Sequence, residues 1–180
     1  MGRIVAVVGM PGSGKGVLAR IAADGGIPVF AMGDIVREAL IQADIEETPT
    51  SVGKMALAIR REHGEAIVAT RMLPRVQALS AAPLILIEGV RQSAEMDIFH
   101  SAFGDDFSIL AIRSPAEARG ERIAERGRGE DGDAQDFTER DARESDWGLP
   151  ELIATATITL DNDSDLSTFE SRCRVWLGGS

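Results

Sequence analysis

Short apolar runs alternate with longer amphipathic stretches along most of the chain. The run Leu84-Ile85-Leu86-Ile87 is the clearest apolar one, and its continuous hydrophobicity is typical of a strand buried on both faces. Predicted strands cover residues 3–8, 28–31, 83–88, 107–112 and 156–160. Predicted helices cover residues 15–23, 35–43, 51–62, 65–80, 92–102, 115–126, 136–146 and 165–177, and Pro74 should start or kink a helix. The alternation predicts an α/β fold with a parallel sheet between helical layers.

Two segments lie outside the simple alternation of strands and helices. Residues 44–80 place additional helices between the second and third strands. Residues 119–143 combine helical stretches with a polar, glycine-rich loop before the last strand. We expect one domain over residues 1–180, in which both segments close over a ligand and the second is a short lid.

Composition and charge restrict the classes of partner. The net charge of −10 repels nucleic-acid phosphates, so we expect no nucleic-acid partner. The longest apolar runs fall well short of the roughly 18 residues of a membrane-spanning helix, so we expect no membrane partner either. The single cysteine, Cys173, fits a reducing cytoplasm, where we expect the protein to reside as a monomer or a homo-oligomer.

A glycine-rich turn joins the first strand to the first predicted helix. Glycines at this spacing let backbone amides point into one anion site, the helix N-terminus adds partial positive charge, and the lysine reaches the β- and γ-phosphates. The pattern predicts a Walker A phosphate loop that binds ATP or GTP. Its residues are Gly9, Pro11, Gly12, Ser13, Gly14 and Lys15, followed at the start of the helix by Gly16 and Val17.

The position after the loop lysine departs from the Walker A pattern. A serine or threonine there normally ligates Mg²⁺, but this chain has Gly16 followed by Val17. Magnesium would then be held by phosphate oxygens, waters and another carboxylate. Glu88, at the end of the third predicted strand, is the candidate and would act through water. Because this hydroxyl is missing, a slow or non-catalytic nucleotide-binding switch is an alternative function.

Charged residues also follow the second and third predicted strands, at the sheet edge where open α/β folds bind ligands. Asp34 should cap the helix that begins near Ile35. Arg37 lies one turn further on and is a candidate ligand for an acceptor phosphate. Arg91 follows Glu88 by three residues at the same edge.

Arginines recur on the helix predicted over residues 115–126. Arg119, Arg122 and Arg126 have the spacing i, i+3, i+7 and therefore share one face. Like charges at this spacing repel each other, and a bound polyphosphate would compensate the repulsion. Arg140 flanks the polar loop and is a candidate to join this cluster. A solvated helix face is the alternative interpretation.

These motifs resemble the nucleotide-kinase branch of P-loop proteins. The loop from Gly9 to Gly16 is similar to that of adenylate kinases, which also have glycine after the lysine but then threonine instead of Val17. Residues 32–37, Met-Gly-Asp-Ile-Val-Arg, resemble the segment that binds the acceptor nucleotide in that family. Glu88-Gly89-Val90-Arg91 resembles its Asp-Gly-Phe-Pro-Arg motif. The resemblance implies that Arg37 and Arg91 contact the acceptor phosphate and that residues 44–80 form an acceptor-binding insertion.

Dephospho-coenzyme A kinases are also similar. Their proposed catalytic base maps onto Asp34, their lid arginines map onto Arg122 and Arg126, and a loop near the adenine resembles residues 162–166, which begin with Asn162.

Over nearly its whole length the chain resembles an archaeal family of adenylate-kinase-related proteins, often described as dephospho-coenzyme A kinase-like. The most specific marks are the segment Met-Gly-Asp-x-Val-Arg-Glu at residues 32–38 and Arg140-Asp141-x-Arg143-Glu144.

The resemblance implies a three-layer P-loop fold with a five-stranded parallel sheet in the order 2-3-1-4-5. It further implies Mg²⁺-assisted transfer of the ATP (or GTP) γ-phosphoryl group to a nucleotide-like acceptor. Expected catalytic residues are Lys15, Asp34, Arg122 and Arg126; Arg119 and Asn162 would contact the donor, and Arg37, Arg91 and Arg140 the acceptor. A nucleoside monophosphate is the preferred acceptor. A ribose hydroxyl, as in dephospho-coenzyme A, must lose a proton and would require Asp34 as base.

Overall fold

The computed structural model describes residues 2–126 and 134–178, without the side chains of residues 49, 126 and 134–136. Five parallel strands form one sheet in the order β2-β3-β1-β4-β5, which confirms the predicted order. The strands are β1 (Arg3–Val8), β2 (Val29–Ala31), β3 (Leu84–Glu88), β4 (Phe107–Arg113) and β5 (Ile158–Asp161). All five contain residues that the apolar pattern assigned to strands.

Helices cover both faces of this sheet. They are α1 (Lys15–Asp24), α2 (Met32–Gln42), α3 (Pro49–His63), α4 (Ile67–Ala78), α5 (Ser93–Phe103), α6 (Ala116–Arg126), α7 (Ala134–Asp146), α8 (Leu149–Thr155) and α9 (Leu166–Gly178), with a 3₁₀ turn at Gly104–Asp106. The sequence pattern did not predict α8. Its seven residues are too few to show a helical period, but Leu149 and Leu152 on it are buried in the core.

Strand β1 runs through the centre of the molecule and divides the core in two. Ile4, Ala6 and Val8 point into a cluster built with α2 to α5 and α8, whereas Val5 and Val7 point into a second cluster with α1 and α9. The alternation follows from the period of two along a strand. Because both faces are covered, the central strands β1 and β3 are apolar along nearly their whole length, whereas the edge strand β5 alternates Ile158 and Leu160 with exposed Thr159 and Asp161.

One local prediction was wrong. Asp34 does not cap α2, because the chain passes directly from β2 into that helix and Ala31 occupies the capping position. Asp34 instead lies in the first turn. Of the two alternatives for Pro74, starting a helix is excluded, because Pro74 lies inside α4, which begins at Ile67; a kink at this residue stays a prediction.

Candidate active site

The glycine-rich turn after β1 packs tightly against three other elements. Gly14 occupies the position before α1 with φ 109°, and Gly12 has φ 76°, both in the left-handed region that favours glycine. A Cβ at Gly14 would lie 2.6 Å from the Asn162 Nδ2 atom, and one at Gly12 would lie 2.7 Å from the Arg119 carbonyl oxygen. The loop conformation therefore depends on the absence of side chains at these positions.

Lys15 begins α1 and folds back over its own loop. Its Nζ donates to the carbonyl oxygens of Gly9 and, at 3.1 Å, Met10. Burial lowers the pKa of this lysine from 10.5 to about 8; the charge of Glu144 opposes the shift, and those of Arg91 and Arg140 add to it. The first amides of any α-helix lack helical acceptors. Together these amides and the lysine form a site for an anion.

Two buried side chains donate hydrogen bonds to carbonyl oxygens of the phosphate loop. Asn162, only 3% exposed, donates from Nδ2 to the Ser13 carbonyl oxygen at 2.8 Å. Arg119, 5% exposed, donates to the Pro11 carbonyl oxygen at 2.9 Å and forms a two-pronged ion pair with Asp141 on α7. Direct contact of either side chain with a nucleotide stays a prediction. Their observed contacts hold the loop in shape.

Arg122 also has protein partners. It donates to the Ser114 Oγ at 2.7 Å and to the Asn162 carbonyl oxygen at 3.0 Å, which joins the ends of β4 and β5. Arg119 and Arg122 therefore both have hydrogen-bond partners within the protein, at or next to the phosphate loop. The side chain of Arg126 and the loop of residues 127–133 lie outside the described residues.

A cavity of about 750 Å³ extends from the phosphate loop to α3, beneath α7. Among the described residues, its charged lining comprises seven cationic side chains and three carboxylates: Lys15, Arg37, Lys54, Arg60, Arg91, Arg140 and Arg143, and Glu47, Glu88 and Glu139. The chain as a whole carries a charge of −10, so this excess of cations is local. It attracts an anionic ligand.

Arg37 points into this cavity from α2 between two carboxylates. Its Nη1 donates to the Asp34 Oδ1 at 3.0 Å and its Nε to the Glu47 Oε1 at 2.9 Å. Burial disfavours the charge of Arg37, but the Glu47 and Asp34 partners outweigh it and raise its pKa. Asp34 itself is not part of the cavity lining. In this arrangement it orients Arg37.

Glu144 on α7 joins the two other arginines that the sequence assigned to an acceptor. Its Oε1 accepts from the Arg91 Nη1 and, at 3.1 Å, from the Arg140 Nε. Glu144 is 2% exposed. Burial opposes its ionisation, but the charges of Arg91, Lys15 and Arg140 together hold the pKa of the carboxyl below its ordinary value.

Sequence reasoning missed a second charged group, in which Arg60 lines the cavity and Glu95 is buried outside its lining. Glu95 is fully buried, accepts from the Arg60 Nη2 at 2.7 Å, and accepts from the Arg91 backbone amide at 2.9 Å. Arg60, Arg91 and Arg143 surround the Trp147 ring with guanidinium carbons 5.2, 5.9 and 5.7 Å from its centre. Arg60 and Glu95 lie on different amphipathic helices, 35 residues apart, and local pattern carries no signal that they meet.

Glu88 ends β3 at the cavity wall. Burial raises the pKa of its carboxyl, with Asp34 adding to the shift and Lys15 opposing it. In the described part of the chain, no group of three or more His, Cys, Asp or Glu side chains converges as a protein-only metal site requires. A Cβ at Gly16 would meet nothing within 4 Å, so room remains there for water. These residues are compatible with a magnesium ion that is coordinated mainly by the phosphate oxygens of a nucleotide.

Three similar proteins come from archaea. The chain is 41% identical to a UPF0200 protein of Methanothrix thermoacetophila and 35% identical to one of Methanosarcina mazei, covering 97% of this chain in each case and 96% and 93% of those proteins. A UPF0200/UPF0201 protein of Archaeoglobus fulgidus is 37% identical over 96% of this chain, which spans only 54% of that longer protein. Residues 8–138 match the AAA domain family. The chain belongs to the UPF0200 family and carries an AAA domain.

Solved structures share its fold. The crystal structure of TT1252 from Thermus thermophilus superposes with a TM-score of 0.57 at 19% identity, covering 99% of this chain and 97% of that one. Shikimate kinase from Aquifex aeolicus superposes with a TM-score of 0.54 at 13% identity, covering 98% and 96%. The fold is therefore that of P-loop kinases. None of the helices in the described part is both long and apolar enough to cross a bilayer.

Proposed function

We propose that this protein is a P-loop phosphotransferase that moves the γ-phosphoryl group of ATP or GTP to the phosphate of a nucleoside-monophosphate-like acceptor. The observation that carries the proposal is the shared cavity of Lys15 and three arginines, Arg37, Arg91 and Arg140. The cation for the donor phosphates and the cations for the acceptor phosphate would thus face the same cavity. Phosphoryl transfer needs this convergence because its catalysis is mostly positioning and charge neutralisation.

The donor side consists of Lys15 and the amides at the start of α1, which would hold the β- and γ-phosphates. Mg²⁺ would supply charge neutralisation between these phosphates, with Glu88 holding it through water. Arg119 and Asn162 would keep the loop in its binding shape through their contacts with the Pro11 and Ser13 carbonyls.

The acceptor side consists of Arg37, Arg91 and Arg140, with the apolar wall of the insertion at residues 44–80 around the acceptor's base. Val36, Val52, Ala56 and Leu57 line this part of the cavity beside Trp147. Arg140 and Lys15 would neutralise the transferring group. Arg122 and Arg126 remain predicted to assist, which for Arg122 requires leaving Ser114 and Asn162.

Two alternatives have support of their own. Asp34 lies one turn before Arg37 on the same helix, accepts a hydrogen bond from it, and would be the base if the acceptor were a ribose hydroxyl. The absence of a hydroxyl at Gly16 favours a slow or non-catalytic switch. The second alternative would bind nucleotide tightly without transferring it.

A screen of candidate acceptors by mass spectrometry tests the proposal. The purified protein is incubated with ATP or GTP, Mg²⁺ and a panel of nucleoside monophosphates, nucleosides and dephospho-coenzyme A. A product heavier by one phosphoryl group on a monophosphate supports the proposal. A product on a hydroxyl supports the first alternative. Tight nucleotide binding with no product, or hydrolysis alone, supports the switch.

A further inference from the structure

The Glu144 carboxylate occupies the space between two arginines that the proposed function assigns to the acceptor. It is buried, and a single oxygen of it accepts hydrogen bonds from both Arg91 and Arg140. We propose that Glu144 holds the position of the acceptor phosphate in the ligand-free protein and thereby selects acceptors that carry a doubly charged phosphate. This inference rests on the proposed function for the identity of the ligand as an acceptor.

The difference in charge between Glu144 and a phosphate monoester explains why the phosphate can compete for the two arginines. Glu144 presents one negative charge and two oxygens, whereas a phosphate monoester carries about −1.5 to −2 near pH 7 and three strong acceptor oxygens. The phosphate can therefore bind both arginines more strongly than Glu144 does. Its additional charge also attracts Lys15, whose own charge already acts on Glu144. A phosphate has the means to displace the carboxylate.

An uncharged ligand cannot displace Glu144 in this way, because it brings no negative charge to the arginines. Removing Glu144 from Arg91 without replacing its charge would leave a largely buried guanidinium beside Arg140, Arg60 and Lys15, with Glu95 as a nearby carboxylate that is already paired with Arg60. Like charges in a buried site that lack enough opposite charge are strongly unfavourable. A nucleoside or a hydroxyl group would therefore leave Glu144 in place. To displace Glu144, an acceptor must therefore carry enough negative charge to replace that of the carboxylate.

A purely structural role makes the opposite prediction. If Glu144 only ties α7 to the loop after β3, its loss should disorder the arginines and weaken phosphate binding or leave it unchanged. If Glu144 competes with phosphate, its loss should strengthen phosphate binding. A competitor that occupies the site more than about nine-tenths of the time lowers the apparent affinity about tenfold or more.

The test is calorimetric titration of inorganic phosphate and of adenosine into the full chain and its variants. Glu144→Gln should bind inorganic phosphate about tenfold tighter than the wild type, with no gain for adenosine. The gain should disappear when Arg91→Met is added to Glu144→Gln, which places the effect at the arginines and not at the phosphate loop. Glu139→Gln is the matched control, because it removes the same charge from the same helix and cavity wall; its gain should stay below about threefold.

Glu144→Asp covers the case in which the glutamine variant does not fold. It keeps the charge but shortens the reach to Arg91, so phosphate affinity should rise by a smaller factor. Unchanged or weaker phosphate binding in the folded variant or variants, or an equal gain in Glu139→Gln, overturns the inference. These titrations need no turnover. If Glu144→Gln binds phosphate more tightly but the protein forms no kinase product, the role of Glu144 is supported and the proposed function fails. If the protein turns over but the variant does not bind phosphate more tightly, the proposed function is supported and the role of Glu144 fails.

Discussion

Raising the pH from 7 to 9 should weaken ATP binding about tenfold, because Lys15 loses its proton in this range. Burial lowers the pKa of this lysine to about 8 in the free protein. Roughly nine-tenths of the molecules carry a charged Lys15 at pH 7 and about one-tenth at pH 9. The charges of a bound triphosphate raise the pKa of the lysine again. Binding therefore takes up a proton above pH 8, and the affinity falls up to tenfold per pH unit.

The contribution of Lys15 to folding has the opposite sign. The pKa of the lysine is lower in the folded chain than its ordinary value of 10.5, so the unfolded chain binds an additional proton between about pH 8 and 10.5. The stability contribution of Lys15 should rise with pH across this window, by at most about 3 kcal/mol. Nucleotide affinity and this part of the stability therefore change in opposite directions.

Isothermal titration calorimetry with ATP at pH 7, 8 and 9 measures how the affinity for ATP depends on pH. The variant Lys15→Arg is the matched control, because it keeps a full charge at all three pH values, and Lys15→Met removes the charge at all three. Both variants should give affinities that hardly depend on pH in this range. The ATP phosphates ionise near pH 6 and contribute little above pH 7. If the wild type and Lys15→Arg lose affinity in parallel, the reasoning about Lys15 is wrong.

Five further variants, in four experiments, test the site. Gly14→Ala should destabilise the fold by roughly 2–4 kcal/mol in urea unfolding, because φ is 109° and the new Cβ would lie 2.6 Å from a buried amide. Gly16→Ser should leave stability unchanged, since the site is open, and should lower the Mg²⁺ concentration needed for ATP binding; an unchanged requirement counts against a metal beside this position. With a phosphate acceptor, Arg91→Ala should raise the acceptor KM strongly while Asp34→Asn has a mild effect; a loss of about 10²–10⁴-fold in kcat for Asp34→Asn instead indicates a hydroxyl acceptor. Arg122→Ala should reduce the rise in melting temperature that ATP produces, and an undiminished rise would assign Arg122 to holding the ends of β4 and β5 together.

Local pattern in the sequence was sufficient for the sheet and the phosphate loop. The central strands are marked by nearly continuous apolar runs such as residues 84–87, and the loop by glycines and a lysine at fixed spacing between a strand and a helix. These signals need only neighbouring residues, because strand burial and amide orientation are local properties. The order of the strands came from family resemblance and was confirmed. Helix α8 escaped the pattern because its seven residues are held by burial of Leu149 and Leu152 instead of by a repeating period.

The contacts of the charged side chains were decided by the tertiary structure. Arg91 meets Glu144 across 53 residues of sequence, and Arg119 meets the Pro11 carbonyl across 108. Spacing on α6 predicted that Arg119 and Arg122 share one helix face, but it could not show that one contacts the phosphate loop and the other the ends of two strands. An arginine looks the same in sequence whether its partner is a ligand, a carbonyl or a carboxylate. Its partner is determined by which elements the fold packs against it, and that packing is a property of the whole chain.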